Sequence, residues 1–166
     1  MTTRPRADTT PLYRIRLADW DLPEDAGAIA DLVNTYAQLP TGGGEALPPD
    51  VLSQLVPALR KMRGAFVLLA YHQAQPIGLA ICLQGFSTFA AKPLINVHDL
   101  VVVPEHQGQG VGTQLLRSVE AHARTLGCCK VTLEVRCENL LASKLYRRLG
   151  YTDPAGASTL MLERLL

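Results

Sequence analysis

Apolar and polar positions alternate with a period of two over residues 13–17, where Tyr13, Ile15 and Leu17 interleave with Arg14 and Arg16, and this pattern predicts a half-buried strand. After Pro23 the period lengthens. Ala28, Ile29, Leu32, Val33 and Tyr36 recur at helical spacing, and the run ends before Leu39-Pro40. A glycine-rich loop at 41–44 leads to a second helical stripe after Pro49-Asp50, carrying Val51, Leu52, Leu55, Val56 and Leu59. Residues 65–71 and 77–83 are β-rich runs around a turn at 72–76, which predicts a hairpin. A polar link at 84–93 precedes the longest strand candidate, residues 94–103. In it Ile95 and Val97 share one parity, Leu100 and Val102 share the other, and His98-Asp99 lies between. A β-bulge produces a one-residue slip of this kind, and the apolar run 100–103 is equally compatible with burial on both faces.

The segment 104–112 is a glycine-rich loop, followed by a helix with Val111, Leu115, Leu116, Val119, Ala123 and Leu126 on one face and Gly127 at its end. Val131, Leu133 and Val135 then alternate with polar residues, so strand, loop, helix and strand form a β-α-β crossover whose two strands run parallel. Asn139 is placed to cap a last helix with Ala142, Leu145, Tyr146 and Leu149 on one face, stopped by Gly150. Leu160, Leu162 and Leu165 suggest a terminal strand. The order predicts an α/β fold, a central mixed β-sheet of about six to seven strands flanked by about four helices.

Length and composition bound what such a fold does. The chain has 166 residues, 48% hydrophobic and 19% charged, which fits one domain over residues 11–166 with a polar, flexible segment at 1–10. A net charge of +1 lacks the basic footprint of non-specific nucleic-acid binding. The longest apolar runs fall far short of the roughly 20 residues that span a bilayer, and no secretory pattern follows Met1, so no membrane partner and a cytoplasmic location are expected. Cys82, Cys128, Cys129 and Cys137 show no C-x-x-C spacing and are read as reduced and structural; His72, His106 and His122 have no metal-ligand spacing, so no metal is expected.

The segment Gln107-Gly108-Gln109-Gly110-Val111-Gly112-Thr113 carries the chemistry. Three alternating glycines clear β-carbons from one edge of a loop at a helix N-terminus, where unsatisfied N–H groups and the helix dipole favour an anion such as phosphate. A Walker loop would need a lysine where Thr113 follows Gly112, and a dinucleotide fingerprint would need G-x-G-x-x-G where this loop has G-x-G-x-G. A tight left-handed turn without any ligand stays open as the alternative.

Residues 98–112, His-Asp-Leu-Val-Val-Val-Pro-Glu-His-Gln-Gly-Gln-Gly-Val-Gly, resemble the acetyl-CoA signature of the GNAT superfamily of N-acetyltransferases, whose Gln/Arg-x-x-Gly-x-Gly/Ala core is matched by Gln107, Gly110 and Gly112. A second segment, 139–151, resembles the same family's Asn-x-x-Ala-x-x-Leu-Tyr-x-x-x-Gly-Phe motif through Asn139, Ala142, Leu145, Tyr146 and Gly150, with Tyr151 at the final aromatic position. The resemblance implies a GNAT-like three-layer fold in which acetyl-CoA, as acetyl donor, lies between two splayed strands. Its pantetheine arm would pair with backbone at Leu100, Val101 and Val102. Its pyrophosphate would rest on Gln107, Gly108, Gln109, Gly110, Val111, Gly112 and Thr113, with Asn139 also on the cofactor side. A backbone N–H near Leu100 or Val102 would polarise the thioester oxygen.

Two proton transfers need residues. By the resemblance Tyr146 gives a proton to the leaving thiolate; a packing role for an aromatic on a helix stripe is the alternative. His98 stands where many relatives carry glutamate and is suited to take the amine proton directly or through water, with a hydrogen-bonded structural role as the alternative. Asp99 alternates to the other strand face, and Glu134 reads as a solvated charge. The expected function is acetyl transfer from acetyl-CoA to an amine on a small molecule or a protein; the alternative is a non-catalytic acyl-CoA sensor or interaction module. No acidic run singles out the acceptor, and the homodimer common among relatives stays open.

Overall fold

The computed structural model describes residues 13–153 and 164. It contains strands β1 (Arg14–Leu17), β2 (Ala65–His72), β3 (Gln75–Ser87), β4 (Lys92–Val102) and β5 (Val131–Leu133), and helices α1 (Pro23–Gln38), α2 (Pro49–Lys61), α3 (Val111–Thr125) and α4 (Leu140–Arg148), with a single 3₁₀ turn at Pro104–His106. The suggested terminal strand at 160–165 lies outside the described residues. Contacts group the chain into two compact units, Met1–Glu134 and Val135–Leu166, and the sheet belongs entirely to the first.

Helix boundaries follow their local chemistry. Proline opens α1 and α2 at a position whose N–H needs no partner, and Glu24, Asp25 and Asp50 place negative charge against the positive ends of the dipoles. Basic Arg60 and Lys61 occupy the last turn of α2. Gly127 (φ +69°) and Gly150 (φ +90°) follow α3 and α4.

The sheet has the order β1-β2-β3-β4-β5, antiparallel except for the parallel β4–β5 pair that the α3 crossover requires. Hydrophobic side chains cover it on both sides. Ala28, Ile29 and Leu32 of α1 and Val56 of α2 pack with Val67, Leu69, Tyr71, Leu79, Ile81 and Val101 on one face. Val111, Leu115, Leu116, Val119 and Ala123 form the buried stripe of α3 on the other, where a β-carbon on Gly78 would touch Leu115. The result is a three-layer α/β fold.

Two details differ from the pattern reading. The link 84–93 is mostly strand: β3 runs on to Ser87 and β4 starts at Lys92, because Phe86 pairs with Pro93 and the Ser87 hydroxyl accepts the Ala90 N–H across the turn. The strand predicted at 131–135 stops at Leu133, so five strands are described.

Candidate functional site

The feature that organises the site is a fault in β4. Asp99 pairs with Ile81 of β3 and Val97 pairs with Cys82, so His98 is an extra residue with no partner of its own. The bulge lies where the parity of the apolar residues changes. It keeps Ile95, Val97, Leu100 and Val102 on the α3 face, opposite Gln84, Cys82, Ala80 and Gly78, and turns Asp99 and Val101 to the α1/α2 face, opposite Ile81 and Leu79. Burial on both faces is present as well, since Val101 is buried under α1 and α2 while Leu100 is half-buried on the other side.

Pairing with β5 covers only Ile95, Asn96 and Val97 and stops one residue before the bulge. Among the described residues no strand continues along that side of β4. The Val103 N–H donates to Ile77 of β3, so alternation turns the backbone groups of Val101 toward β3 and those of Leu100 and Val102 toward the open side. The structure therefore brings Leu100 and Val102 to an edge without a strand partner, where the Val102 carbonyl is taken by the Gln107 side chain. Val101 instead spends its backbone on β3 and its side chain in the core.

The open edge leads into the glycine loop. Gly108 (φ +73°) and Gly110 (φ +92°) adopt the left-handed conformation that L side chains resist, and a β-carbon at either would point into empty space. Gly110 is the N-cap of α3 and provides no side-chain cap to the first turn. The loop is braced from within: the Gln107 side-chain amide donates to the Val102 carbonyl (2.9 Å), the Gln109 amide donates to the Glu105 carbonyl (2.8 Å), and the Tyr13 hydroxyl donates to Gln109 Oε1 (2.7 Å). Tyr13 is buried beside the rings of His72 and His106. Its long-range role has no signature in the local pattern of β1. These features suit an anionic ligand with an extended polar arm: the loop offers backbone donors around cleared space, and β4 offers strand-edge groups.

Asp99 is the carboxylate next to this fault in β4. It lies beside the bulge on the face covered by α1 and α2, and its carboxylate makes no hydrogen bond among the described residues. Burial pushes its pKa up, and the nearby His98 opposes that shift. His98 itself is exposed and makes no hydrogen bond among the described residues. A second carboxylate under the same helices contrasts with it. Asp25 is fully buried and accepts from both terminal nitrogens of Arg16, the Tyr71 hydroxyl (2.9 Å) and the Asp19 N–H (2.7 Å). The Arg16 pair holds its pKa at about 2 against the cost of burial.

In the second unit Asn139 accepts the Ala142 N–H (3.1 Å) and so caps α4, as its spacing predicted. Tyr146 is buried, with its ring 6.1 Å from that of Tyr151. Burial raises the Cys82 thiol to about 12, which removes it as a nucleophile near neutral pH. Among the described residues no group of three or more His, Cys, Asp or Glu could hold a metal ion.

The model of the acetyltransferase (GNAT) family matches residues 29–151, three quarters of the chain, and takes in the bulge, the glycine loop and the α4 motif. The chain belongs to that family. Its GNAT relatives include the thialysine N-epsilon-acetyltransferase of Mus musculus, 27% identical over 103 residues that cover 62% of this chain and 55% of that protein. Another is the aminoglycoside N(6')-acetyltransferase type 1 of Stenotrophomonas maltophilia, 28% identical over 79% of this chain and 82% of the relative. The chain spans about half the length of the mouse relative it matches, and about a third of an uncharacterized N-acetyltransferase of Methanocaldococcus jannaschii. The crystal structure of a probable acetyltransferase shares the fold with a TM-score of 0.78 at 21% identity, covering 92% of this chain and 98% of its own. No helix among the described residues is long and apolar enough to cross a membrane.

Proposed function

We propose that this chain is an N-acetyltransferase that moves the acetyl group of acetyl-CoA directly to an amine acceptor, and that the open half of β4 is where the transfer occurs. The observation that carries the reading is the coincidence of three features within fifteen residues: the bulge at His98, the loss of β5 pairing at the same point, and an uncapped helix start behind left-handed glycines. Acetyl-CoA, when bound, supplies an activated thioester carbonyl and a thiolate leaving group. The glycine loop, from Gln107 to Thr113, holds the pyrophosphate on backbone donors. The N–H groups of Leu100 and Val102, aimed at the open side, bind the extended arm and stabilise negative charge on the thioester oxygen.

The amine must lose a proton before or during attack. Asp99 fits this better than His98 does, because it is sheltered on the α1/α2 face, accepts no hydrogen bond among the described residues and has a pKa shifted upward by burial. His98 acts beside it, as a charge that tunes the carboxylate. Tyr146 Oη gives a proton to the departing sulfur; the α4 motif supports this role. The named relatives act on a lysine analogue and on aminoglycosides, which supports an amine as acceptor.

The test is release of free CoA thiol from acetyl-CoA in the presence of a panel of primary amines. Tyr146→Phe is expected to lower turnover by at least about tenfold with cofactor affinity unchanged. Gly110→Asp, which places a β-carbon and a negative charge in the loop, is expected to weaken acetyl-CoA binding at least about tenfold by calorimetry. Binding of acetyl-CoA without thiol release across the panel would rule out the catalytic reading, and undiminished affinity in the glycine variant would remove the loop from the cofactor site.

A further inference from the structure

We propose that Tyr13 is a positioning residue for the cofactor loop: acting through Gln109, it fixes the backbone of residues 108–112 in the conformation that receives the pyrophosphate of acetyl-CoA. This rests on the acetyltransferase reading of the same site. The loop cannot be held by packing of its own side chains. Gly108 and Gly110 have none, both stand at positive φ, and nothing lies within 4 Å of where their β-carbons would be. Glycine also has the most conformational freedom to lose on ordering. What holds the loop must come through the residues between and around these glycines. Gln107 ties the start of the loop to the end of β4 at Val102, and Gln109 ties back to Glu105, each across five residues or fewer. The Tyr13 hydroxyl reaches Gln109 from 96 residues away and anchors the loop to β1, at the edge of the sheet remote from β5.

The mount is rigid. Arg14 pairs with Tyr71 and β1 stays in register with β2 as far as Leu17, so Tyr13 stands where the sheet begins. Alternation places its side chain with Ile15 on the α3 face. There its ring lies edge-on to that of His72 at the end of β2 (centroids 5.9 Å apart) and to that of His106 in the 3₁₀ turn (6.2 Å). The residue is 3% exposed, and a buried phenol O–H needs an acceptor. Gln109 Oε1 is that acceptor, at 2.7 Å. An amide carries its acceptor and its donors on opposite arms, so capture of Oε1 by Tyr13 turns Nε2 to the Glu105 carbonyl (2.8 Å). One hydroxyl therefore orients both ends of Gln109, the residue between the two left-handed glycines. A loop ordered in advance has less freedom to lose when the ligand arrives, and this raises affinity without requiring Tyr13 to touch the ligand.

Tyr13→Phe keeps the ring between the two histidines and removes only the hydroxyl. Calorimetric titration of acetyl-CoA is expected to give a Kd about fivefold or more above that of the wild type, while kcat with a primary amine at saturating acetyl-CoA stays within about twofold. Unchanged affinity, or a fall in kcat as large as the rise in Kd, overturns the proposal. Gln109→Leu removes the other end of the tie. Since Tyr13 acts through Gln109, adding Tyr13→Phe to that variant should change Kd by less than about twofold, and losses that multiply in the double variant overturn the proposal. Hydrogen exchange in the ligand-free protein reads the loop without any cofactor: the amides of residues 108–112 should exchange about threefold or more faster in Tyr13→Phe, with those of β2 and β3 unchanged. If the wild type does not bind acetyl-CoA, the acetyltransferase reading of the loop fails instead, and the exchange comparison decides the tie alone: faster loop exchange in the variant supports it and equal exchange overturns it.

Discussion

Asp25 and Asp99 are two carboxylates on the side of one sheet that α1 and α2 cover, and they are treated in opposite ways. Asp25 is closed off from water but accepts four hydrogen bonds from Arg16, Tyr71 and Asp19, so its charge is stabilised and its pKa falls to about 2. Asp99 is less deeply buried yet receives no hydrogen bond among the described residues, so burial acts unopposed except by His98 and its pKa rises. A carboxylate whose lone pairs are all engaged holds structure together. One left unengaged in a sheltered place is available for proton transfer, and environments that push two acids apart in this way are how acid and base roles are assigned within one fold.

Variants at Asp99, Asp25 and His98 test this contrast. The largest effect is expected from Asp99→Asn, which removes the proposed base and should lower kcat by about 10²-fold or more while leaving acetyl-CoA affinity in place; full activity in this variant would end the role. Its stability should move the other way. An acid with a raised folded pKa loses stability as pH rises from 3.8 through its folded value, so the asparagine variant, free of that loss, should be at least as stable as the wild type at neutral pH in urea denaturation.

Asp25→Asn should show the reverse profile. With its pKa lowered from 3.8 to about 2, Asp25 contributes about 2–3 kcal/mol that is fully present above pH 4 and is lost as pH falls toward 2. The variant should be destabilised by about that amount at pH 7 and by much less at pH 2, while its kcat at temperatures where it is folded should stay near wild type. A large fall in kcat of the folded variant would mean that the two carboxylates do not divide the work as described. The smallest effect is expected for His98→Gln, which removes a tuning charge: kcat should change by about threefold or less, and the acidic limb of the pH–rate profile should shift rather than vanish. Disappearance of that limb would restore His98 as the base.

Much of the fold is legible in local pattern. The period-two runs of β1 and β5, the helical stripes of α1, α3 and α4, and the proline and glycine boundaries follow from alternation, from 3.6-residue spacing and from backbone chemistry within a few residues. The bulge was visible too, as a change of parity between Val97 and Leu100, because a buried sheet face records every slip in register. The strand continuation over 84–87 was hidden because it depends on cross-strand partners such as Phe86 with Pro93, in a stretch whose composition reads as loop. The tie from Tyr13 to Gln109 was equally hidden, since its two ends are 96 residues apart.

The order of the described strands and helices, the glycine loop at the start of α3 and the cap at Asn139 follow from residues that are neighbours along the chain, while the slip in β4 was one of two readings that its pattern allowed. Which of the two adjacent residues at the slip is sheltered is set by packing. Whether His98 or Asp99 lies under the helices depends on the register of β4 against β3, and the charge state of Asp99 depends on α1 and α2 excluding water without supplying a partner. Both are properties of packing between segments far apart in sequence.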